Sequence, residues 1–411
     1  MKKAVIFGAG KIGRGFLGQL FYESGYETVF VELDQKLVNQ INQKKSYPVK
    51  IVSPGQKKEV TVKNVEAIQA HDQKKIAAEI ADTDLVATAV GVGALPRIVG
   101  TLVAGFRCRW EKESFAPLNI ILCENLVDAD SYLEKHILEK LSSKEKKIYQ
   151  ENVGLVRASI GRMVPEVPAE VKEEHPLAVV VEPYDKLPVD KAGIKGPEPE
   201  LKNMIPFSPF DFYIKRKLYM HNMAHAVTAY LGNRYGYDYI WEAISDPAIK
   251  YITAKALQEA AVALAREYQV SLEKLLAFGD NLIFRFNNQV LGDTVGRVGR
   301  DLKRKLSSDD RLVGTINLCR KHNLVPVYVI AGLAAGYLFN PGNNVEKNAK
   351  EIRDLTSDKG IKKAVEDISL INEGKIKKII AKFYVIMENE ASLLDVLAQA
   401  EFFSDQFNSE S

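Results

Sequence analysis

Lys217, Asn222 and His225 lie in the stretch KLYMHNMAHAVTAYLG with the spacing K-x4-N-x2-H. If this stretch is an α-helix, Asn222 stands about 140° and His225 about 80° around the axis from Lys217. One helix face can then present an amine, an amide and an imidazole. Lys217 and His225 would be ~12 Å apart along the axis, so they could line an extended substrate but not meet at one atom. Taken alone, the trio is equally what an ordinary amphipathic helix carries. His221 and His225 have the i, i+4 spacing of a two-histidine metal pair, yet HNMAH lacks the Glu of HExxH and no third ligand is apparent. No metal is expected.

A second constellation opens the chain. Gly8-Ala9-Gly10-Lys11-Ile12-Gly13 matches G-x-G-x-x-G directly after the apolar run Ala4–Phe7 and before a helical pattern at Gly13–Glu23. Gly8 suits a tight turn, Gly10 lets a pyrophosphate approach the backbone, and Gly13 lets the helix pack closely on the strand. The helix start then offers its unpaired N–H groups to phosphate. Glu32 ends the next strand pattern, Thr28–Val31, where a carboxylate accepts from both ribose hydroxyls and repels a 2′-phosphate. That order of elements points to NAD over NADP. The apolar run Asp84–Ala89 leads to Val90-Gly91, which would lie beside the cofactor.

A third group is basic: Arg297, Arg300, Lys303, Arg304 and Lys305 crowd one short stretch. Such a run is usually a solvated helix face. It also suits a phosphate, because guanidinium forks match phosphate oxygens, and Arg297 and Arg300 are the candidates.

These residues need a scaffold, and the chain length allows two or three domains. A 46% hydrophobic, 27% charged composition is that of a soluble globular protein, not a disordered one. The formal net charge of +3 is too near balance for a nucleic-acid binder. Cys108, Cys123 and Cys319 are isolated, giving neither a disulfide framework nor a CxxC pair, which fits a reducing, cytoplasmic setting. No signal peptide or membrane span is expected. The apolar run Val325–Phe339 is shorter than the ~18 residues of a span and reads as a buried core helix.

Strands at Ala4–Phe7, Thr28–Val31, Val49–Val52, Glu59–Val65, Asp84–Ala89 and Leu118–Leu122 alternate with helices at Gly13–Glu23, Gln35–Lys44, Lys74–Ala81 and Ala94–Ala104. Asp34 is placed to cap the second of these helices, and Pro54-Gly55 to turn the third strand into the fourth. This alternation predicts a parallel, doubly wound Rossmann-type α/β sheet. Glu139–Gln150 reads as a solvated helix or connector, and Val153–Ile160 and Ala178–Val181 as possible extensions of the sheet. Seven prolines from Pro165 to Pro199 place a boundary near residue 200. The expected division is a dinucleotide-binding domain at 1–200, with extra strands and loops at 140–200, and a mainly α-helical domain at 201–411. In the latter, Lys217–Leu231, Ile249–Glu267, Leu272–Phe284, Arg311–Lys321 and Val329–Leu338 have helical periodicity. Ser404–Ser411 reads as a frayed end.

The sequence resembles the polyol-specific long-chain dehydrogenases, the mannitol dehydrogenase family. The likeness is carried by FGAGKIGRGF at the start, TAVG at 88–91, CEN at 123–125, VDKAGIKG at 189–196, RKLYMHNMAHAVTAYLG at 216–232 and VGRVGRDLKRKLSSDDRL at 295–312. It extends to about residue 340; the match at 140–180 is loose and the last 50 residues carry little signal. Within the family it is nearest to members acting on a sugar phosphate. The resemblance implies NAD-dependent, metal-free interconversion of D-mannitol 1-phosphate and D-fructose 6-phosphate in a cleft between the domains. It makes Lys217 the general acid/base, Asn222 and Asn125 the donors to the developing alkoxide, and His225 the holder of a substrate hydroxyl. Lys217 would need burial or a nearby positive charge to favour its neutral form. The alternatives are a mannitol 2-dehydrogenase or a hexuronate (tagaturonate or fructuronate) reductase, and, in another class, a non-catalytic NAD-sensing protein. An intact Lys217, Asn222 and His225 counts against the last.

Overall fold

In the computed structural model, which describes residues 2–340, 342 and 347–408, the chain divides into two units, Met1–Ile214 and Lys215–Ser411. The first begins with β1 (Lys2–Phe7), a π-helical stretch Gly13–Gly18 and α1 (Gln19–Glu23). Then come β2 (Tyr26–Glu32), α2 (Gln35–Lys44), a hairpin of β3 (Ser46–Ser53) and β4 (Gln56–Lys63), and β5 (Val65–Gln69). The Asp34 side chain caps α2 by accepting from the N–H groups of Lys36 and Leu37. α3 (Gln73–Ala81), β6 (Leu85–Thr88), α4 (Leu95–Glu111), β7 (Leu118–Leu122), α5 (Ala129–Leu138), α6 (Ser143–Asn152) and β8 (Val153–Arg157) complete the main sheet. α7 (Ala169–Glu174), β9 (Val179–Val181), β10 (Leu187–Asp190), β11 (Met204–Phe207) and α8 (Asp211–Arg216) follow.

The main sheet has the order β5-β2-β1-β6-β7-β8 and every pairing is parallel. Both faces are covered, which is why β1 is a continuous apolar run. Ala4 and Ile6 share a core with Phe16, Leu17 and Phe21; Val5 and Phe7 share another with Ile80, Leu102 and Phe106. Strand order reverses between β1 and β6, so the crevice beyond their C-terminal ends is where a ligand belongs.

Two local expectations are corrected and a third is extended. Glu59–Val65 is not one strand: the chain breaks at Asn64, whose φ of 57° is left-handed, and Val65 starts β5 in the main sheet. Ala178–Val181 does not extend the main sheet, because β9 joins a separate three-stranded sheet of order β4-β3-β9. There Val181 and Tyr47 close on the first helix, beside Gly15 and Gly18. The connector between β7 and β8 holds two helices. α5 buries Ala129, Leu133 and Ile137, and α6 starts with a Ser142–Glu145 capping box.

From α8 the chain stays helical through a π-helical segment, Lys217–Asn222, into α9 (Met223–Arg234) of the second unit. α10 (Ile240–Ser245), α11 (Pro247–Tyr268), α12 (Leu272–Phe286), α13 (Val295–Gly299), α14 (Leu302–Lys305) and α15 (Val313–Lys321) follow. α16 (Val327–Tyr337), α17 (Lys347–Lys359), α18 (Ile361–Ala364), α19 (Gly374–Glu388) and α20 (Leu393–Asn408) end the chain. α16 is buried along its whole length. A Cβ on its Gly332 would stand 2.5 Å from Val227 Cγ2, so glycine is what lets α16 lie against α9. Among the described residues no helix is long and apolar enough to cross a membrane. α20 runs on to Asn408, past the frayed end expected from Ser404; residues 409–411 lie outside the described residues.

Candidate active site

In the sheet unit the candidate residues stand where strands end. Gly8 follows β1 with φ of 96°, and a Cβ there would lie 2.6 Å from Ala89 O. A Cβ on Gly13 would lie 1.9 Å from Gly8 O, so that glycine closes the helix onto the strand. Gly10 differs: a Cβ there would meet no protein atom within 4 Å. The fold therefore does not itself require a glycine at Gly10, whereas a pyrophosphate lying against the backbone would. Arg14 N–H bonds to Gly10 O, and the N–H groups just ahead of it lie in a first turn that offers no helical acceptor. Arg14 also braces the loop, its Nε donating to Ala9 O at 2.7 Å. Lys11 is exposed and paired with Glu166, and Ile12 packs partly buried against the core.

Glu32 stands at the end of β2, half-buried. Its Oε2 accepts from Ala9 N–H at 2.8 Å, and its Oε1 from Leu33 N–H at 2.7 Å and Asp34 N–H at 3.1 Å. The carboxylate thus ties the glycine loop to the second strand, besides being placed for a ribose. Val90 and Gly91 follow β6, Gly91 with φ of 84°. The group that holds them has no telling mark in the sequence. It is Glu124, buried in the CEN segment. Thr88 Oγ1 donates to its Oε2 at 2.5 Å and Val90 N–H to its Oε1 at 3.0 Å. Burial raises the Glu124 carboxyl above its ordinary pKa, and these hydrogen bonds pull it back only in part. Asn125, the next residue, is exposed past the end of β7. The loop Gly8–Gly13, Glu32, Val90, Gly91 and the CEN segment therefore share the C-terminal edge of one sheet. The residues present fit a dinucleotide.

The helical unit carries its own candidate residues. Lys217–Asn222 is π-helical, not α-helical, which corrects the angles expected for a regular helix. Its i→i+5 bonds wind more residues into each turn, so Asn222 returns nearly to the face of Lys217. Lys217 and Asn222 are half-buried, and His225 follows in the first turn of α9. The His225 ring stacks on Phe286 with centroids 4.7 Å apart and planes 15° from parallel. Its Nε2 lies 3.2 Å from Asp293 Oδ2, although not aimed for a well-aligned hydrogen bond. Burial would push the Asp293 carboxyl up, but His225 and Arg297 outweigh it and hold the group below its ordinary range. Asp293 and Phe286 escape a reading of the sequence, since neither stands at a telling spacing from His225.

His221 is buried. Desolvation, then Arg285, His225, Lys217 and Arg311, push its pKa well below the usual histidine value, so it is neutral. Among the described residues no three His, Cys, Asp or Glu side chains cluster to hold a metal.

The basic stretch is not one solvated face. Arg297 turns Nε, at 2.6 Å, and Nη2 onto Asp293 Oδ1, which joins it to His225. Arg300 is exposed at the C-terminal end of α13 and carries no ion pair among the described residues. Arg304 pairs with Asp301 and Asp310. Lys305 is buried and donates to Val298 O; burial, with Arg311 and Arg304 near it, lowers its pKa to about 8.

Comparison with known proteins matches residues 2–203 to the mannitol dehydrogenase Rossmann domain and residues 210–403 to the mannitol dehydrogenase C-terminal domain. The chain is 38% identical over 376 residues to a mannitol-1-phosphate 5-dehydrogenase of Clostridium acetobutylicum, covering 90% of this chain and 95% of that one. It is 37% identical over 390 residues to the enzyme of the same name from Thermoanaerobacter pseudethanolicus, covering 94% and 99%. Among solved structures, a substrate-free D-sorbitol dehydrogenase superposes with a TM-score of 0.80 at 15% identity, covering 97% of this chain and 94% of that one. The Pseudomonas fluorescens mannitol 2-dehydrogenase complex with NAD and D-mannitol does so with 0.70 at 16%, with the same coverage. At such identities the two structures speak for the fold.

Proposed function

The chain belongs to the mannitol dehydrogenase family, and on that premise we propose that it interconverts D-mannitol 1-phosphate and D-fructose 6-phosphate with NAD. It is an NAD-dependent polyol dehydrogenase. The observation that carries the phosphate substrate is the likeness, over nine-tenths of the chain, to relatives named for that reaction.

NAD, when bound, supplies the hydride acceptor for oxidation and the hydride donor for reduction. Gly10 and the start of the first helix would hold its pyrophosphate and Glu32 its ribose, with the Val90–Gly91 turn beside them. Lys217 takes the proton of the reacting hydroxyl in oxidation and returns it in reduction. The buried His221 has Lys217, Arg285 and Arg311 among its electrostatic neighbours. Asn222 and Asn125 donate to the alkoxide oxygen as charge develops on it. Phe286 stacks on the ring of His225, with Asp293 beside it, and the imidazole orients a second hydroxyl of the substrate. The proton transfer uses side chains alone. Arg300 holds the phosphate, and Arg297 supports it from Asp293.

The test is NADH oxidation by the purified protein with fructose 6-phosphate, fructose and tagaturonate. Fructose 6-phosphate should have by far the highest kcat/KM. A preference for free fructose or for tagaturonate would replace the reading with that of another member of the family.

A further inference from the structure

We propose that Glu124 is a positioning residue that couples the nucleotide-facing turn after β6 to Asn125, so that one buried carboxylate sets both the cofactor site and the amide that polarises the carbonyl. The proposal rests on the functional reading above for the role of Asn125. The backbone ladder between β6 and β7 ends where Cys123 N–H bonds to Thr88 O at 3.1 Å. Past that point the two strand ends feed separate turns. The side chain of Glu124 takes over where the ladder stops, reaching back to Thr88 Oγ1 and across to Val90 N–H, with Gly91 N–H also directed at it.

The carboxylate is suited to this because it only accepts, and it faces only donors. Ala89 and Val90 in turn crowd Gly8, since a Cβ on Gly8 would meet Ala89 O at 2.6 Å and Val90 Cγ1 at 3.4 Å. A shift of the turn would therefore disturb the glycine loop as well. Asn125 is bonded directly to Glu124 along the chain, so the anchor that fixes the turn also fixes where the Asn125 backbone leaves the sheet. Glu124 itself is buried at 7% exposure.

The experiment compares Glu124→Ala, Glu124→Gln, Asn125→Ala and the double variant Glu124→Ala/Asn125→Ala. NADH affinity is read by fluorescence titration without substrate, kcat with fructose 6-phosphate, and folding by thermal melting. Glu124→Ala should weaken NADH binding about tenfold or more and also lower kcat. Glu124→Gln should recover much of both, because one amide oxygen still accepts from Val90 N–H. Asn125→Ala should lower kcat at unchanged NADH affinity. The double variant should lose little more kcat than Asn125→Ala alone, because the displaced Asn125 has already lost its effect. A folded Glu124→Ala protein that binds NADH within threefold of wild type, or kcat losses that multiply, would overturn the coupling. If Glu124→Ala does not fold, Thr88→Val removes a single donor to the same carboxylate. NADH affinity should then fall about threefold or more, and wild-type affinity in that variant would equally overturn it. Because NADH binding is read without substrate, a wild-type protein inactive on fructose 6-phosphate would defeat the functional reading while the binding data still judge Glu124.

Discussion

Removing the amine at Lys217 tests the proton transfer at a single residue. Lys217→Met keeps the length and apolar stem of the side chain, so NADH binding should stay near wild type. Turnover should fall ~10²–10⁴-fold, the usual contribution of a positioned acid/base. Single-turnover kinetics with fructose 6-phosphate measures it, and turnover within a few fold of wild type would remove Lys217 from that role. The arginines divide in a way their sequence positions do not suggest. Arg297 already serves Asp293, while Arg300 is exposed and unpaired among the described residues. Arg300→Ala should therefore cut kcat/KM for fructose 6-phosphate by roughly 10–150-fold and hardly change activity on free fructose. Arg297→Ala should affect both substrates, because it loosens Asp293 and with it His225. Equal losses on both substrates in Arg300→Ala would mean that it holds the sugar or the fold. At this scale the sequence reveals residues whose chemical type is the signal, such as Gly8, Glu32 and Lys217. It hides Glu124 and Asp293, which act through contacts made only once β6 meets β7, or α9 meets the turn before α13.

At the scale of elements, the loop between β1 and the first helix separates stability from binding. Gly13→Ala would drive a Cβ to within 1.9 Å of Gly8 O and should lower the melting temperature markedly. Gly10→Ala meets no protein atom and should melt like wild type, yet bind NADH at least tenfold more weakly. Calorimetry and NADH titration on the two variants check the split; a Gly10→Ala protein with normal NADH affinity would move the pyrophosphate elsewhere. The parallel sheet is legible because strands alternate with helices and a run such as AVIF suits a strand covered on both faces. The break at Asn64 is not, since a single left-handed residue leaves the strand-like composition on both sides intact. α19 is legible in principle, since Ile376, Ile379, Ile380, Phe383 and Met387 recur at helical spacing between lysines and form its buried stripe.

For the whole molecule, the buried His221 ties stability to pH. In the unfolded chain a histidine gains a proton as pH falls through ~6.5, while folded His221 resists doing so because its pKa is lowered. More protons bound in the unfolded state mean that stability is lost as pH falls below that value, by up to ~1.4 kcal/mol per pH unit for one such group. Melting curves from pH 7.5 to 5.5 should therefore drop less steeply for His221→Asn than for wild type. Parallel curves would show that the imidazole is protonated in the fold.

The π-helical segments Gly13–Gly18 and Lys217–Asn222 lie in the very helices that carry the two halves of the chemistry. A wide turn of this kind amounts to a residue in excess of the α-helical count, held within an otherwise regular helix. If the ladder closed up as α-helix with every residue kept, everything before it would turn by about a quarter of a turn relative to His225. Lys217 would keep its identity and lose its bearing. The spacing K-x4-N-x2-H is therefore a statement about phase as much as about composition, and the wide turn is what sets that phase.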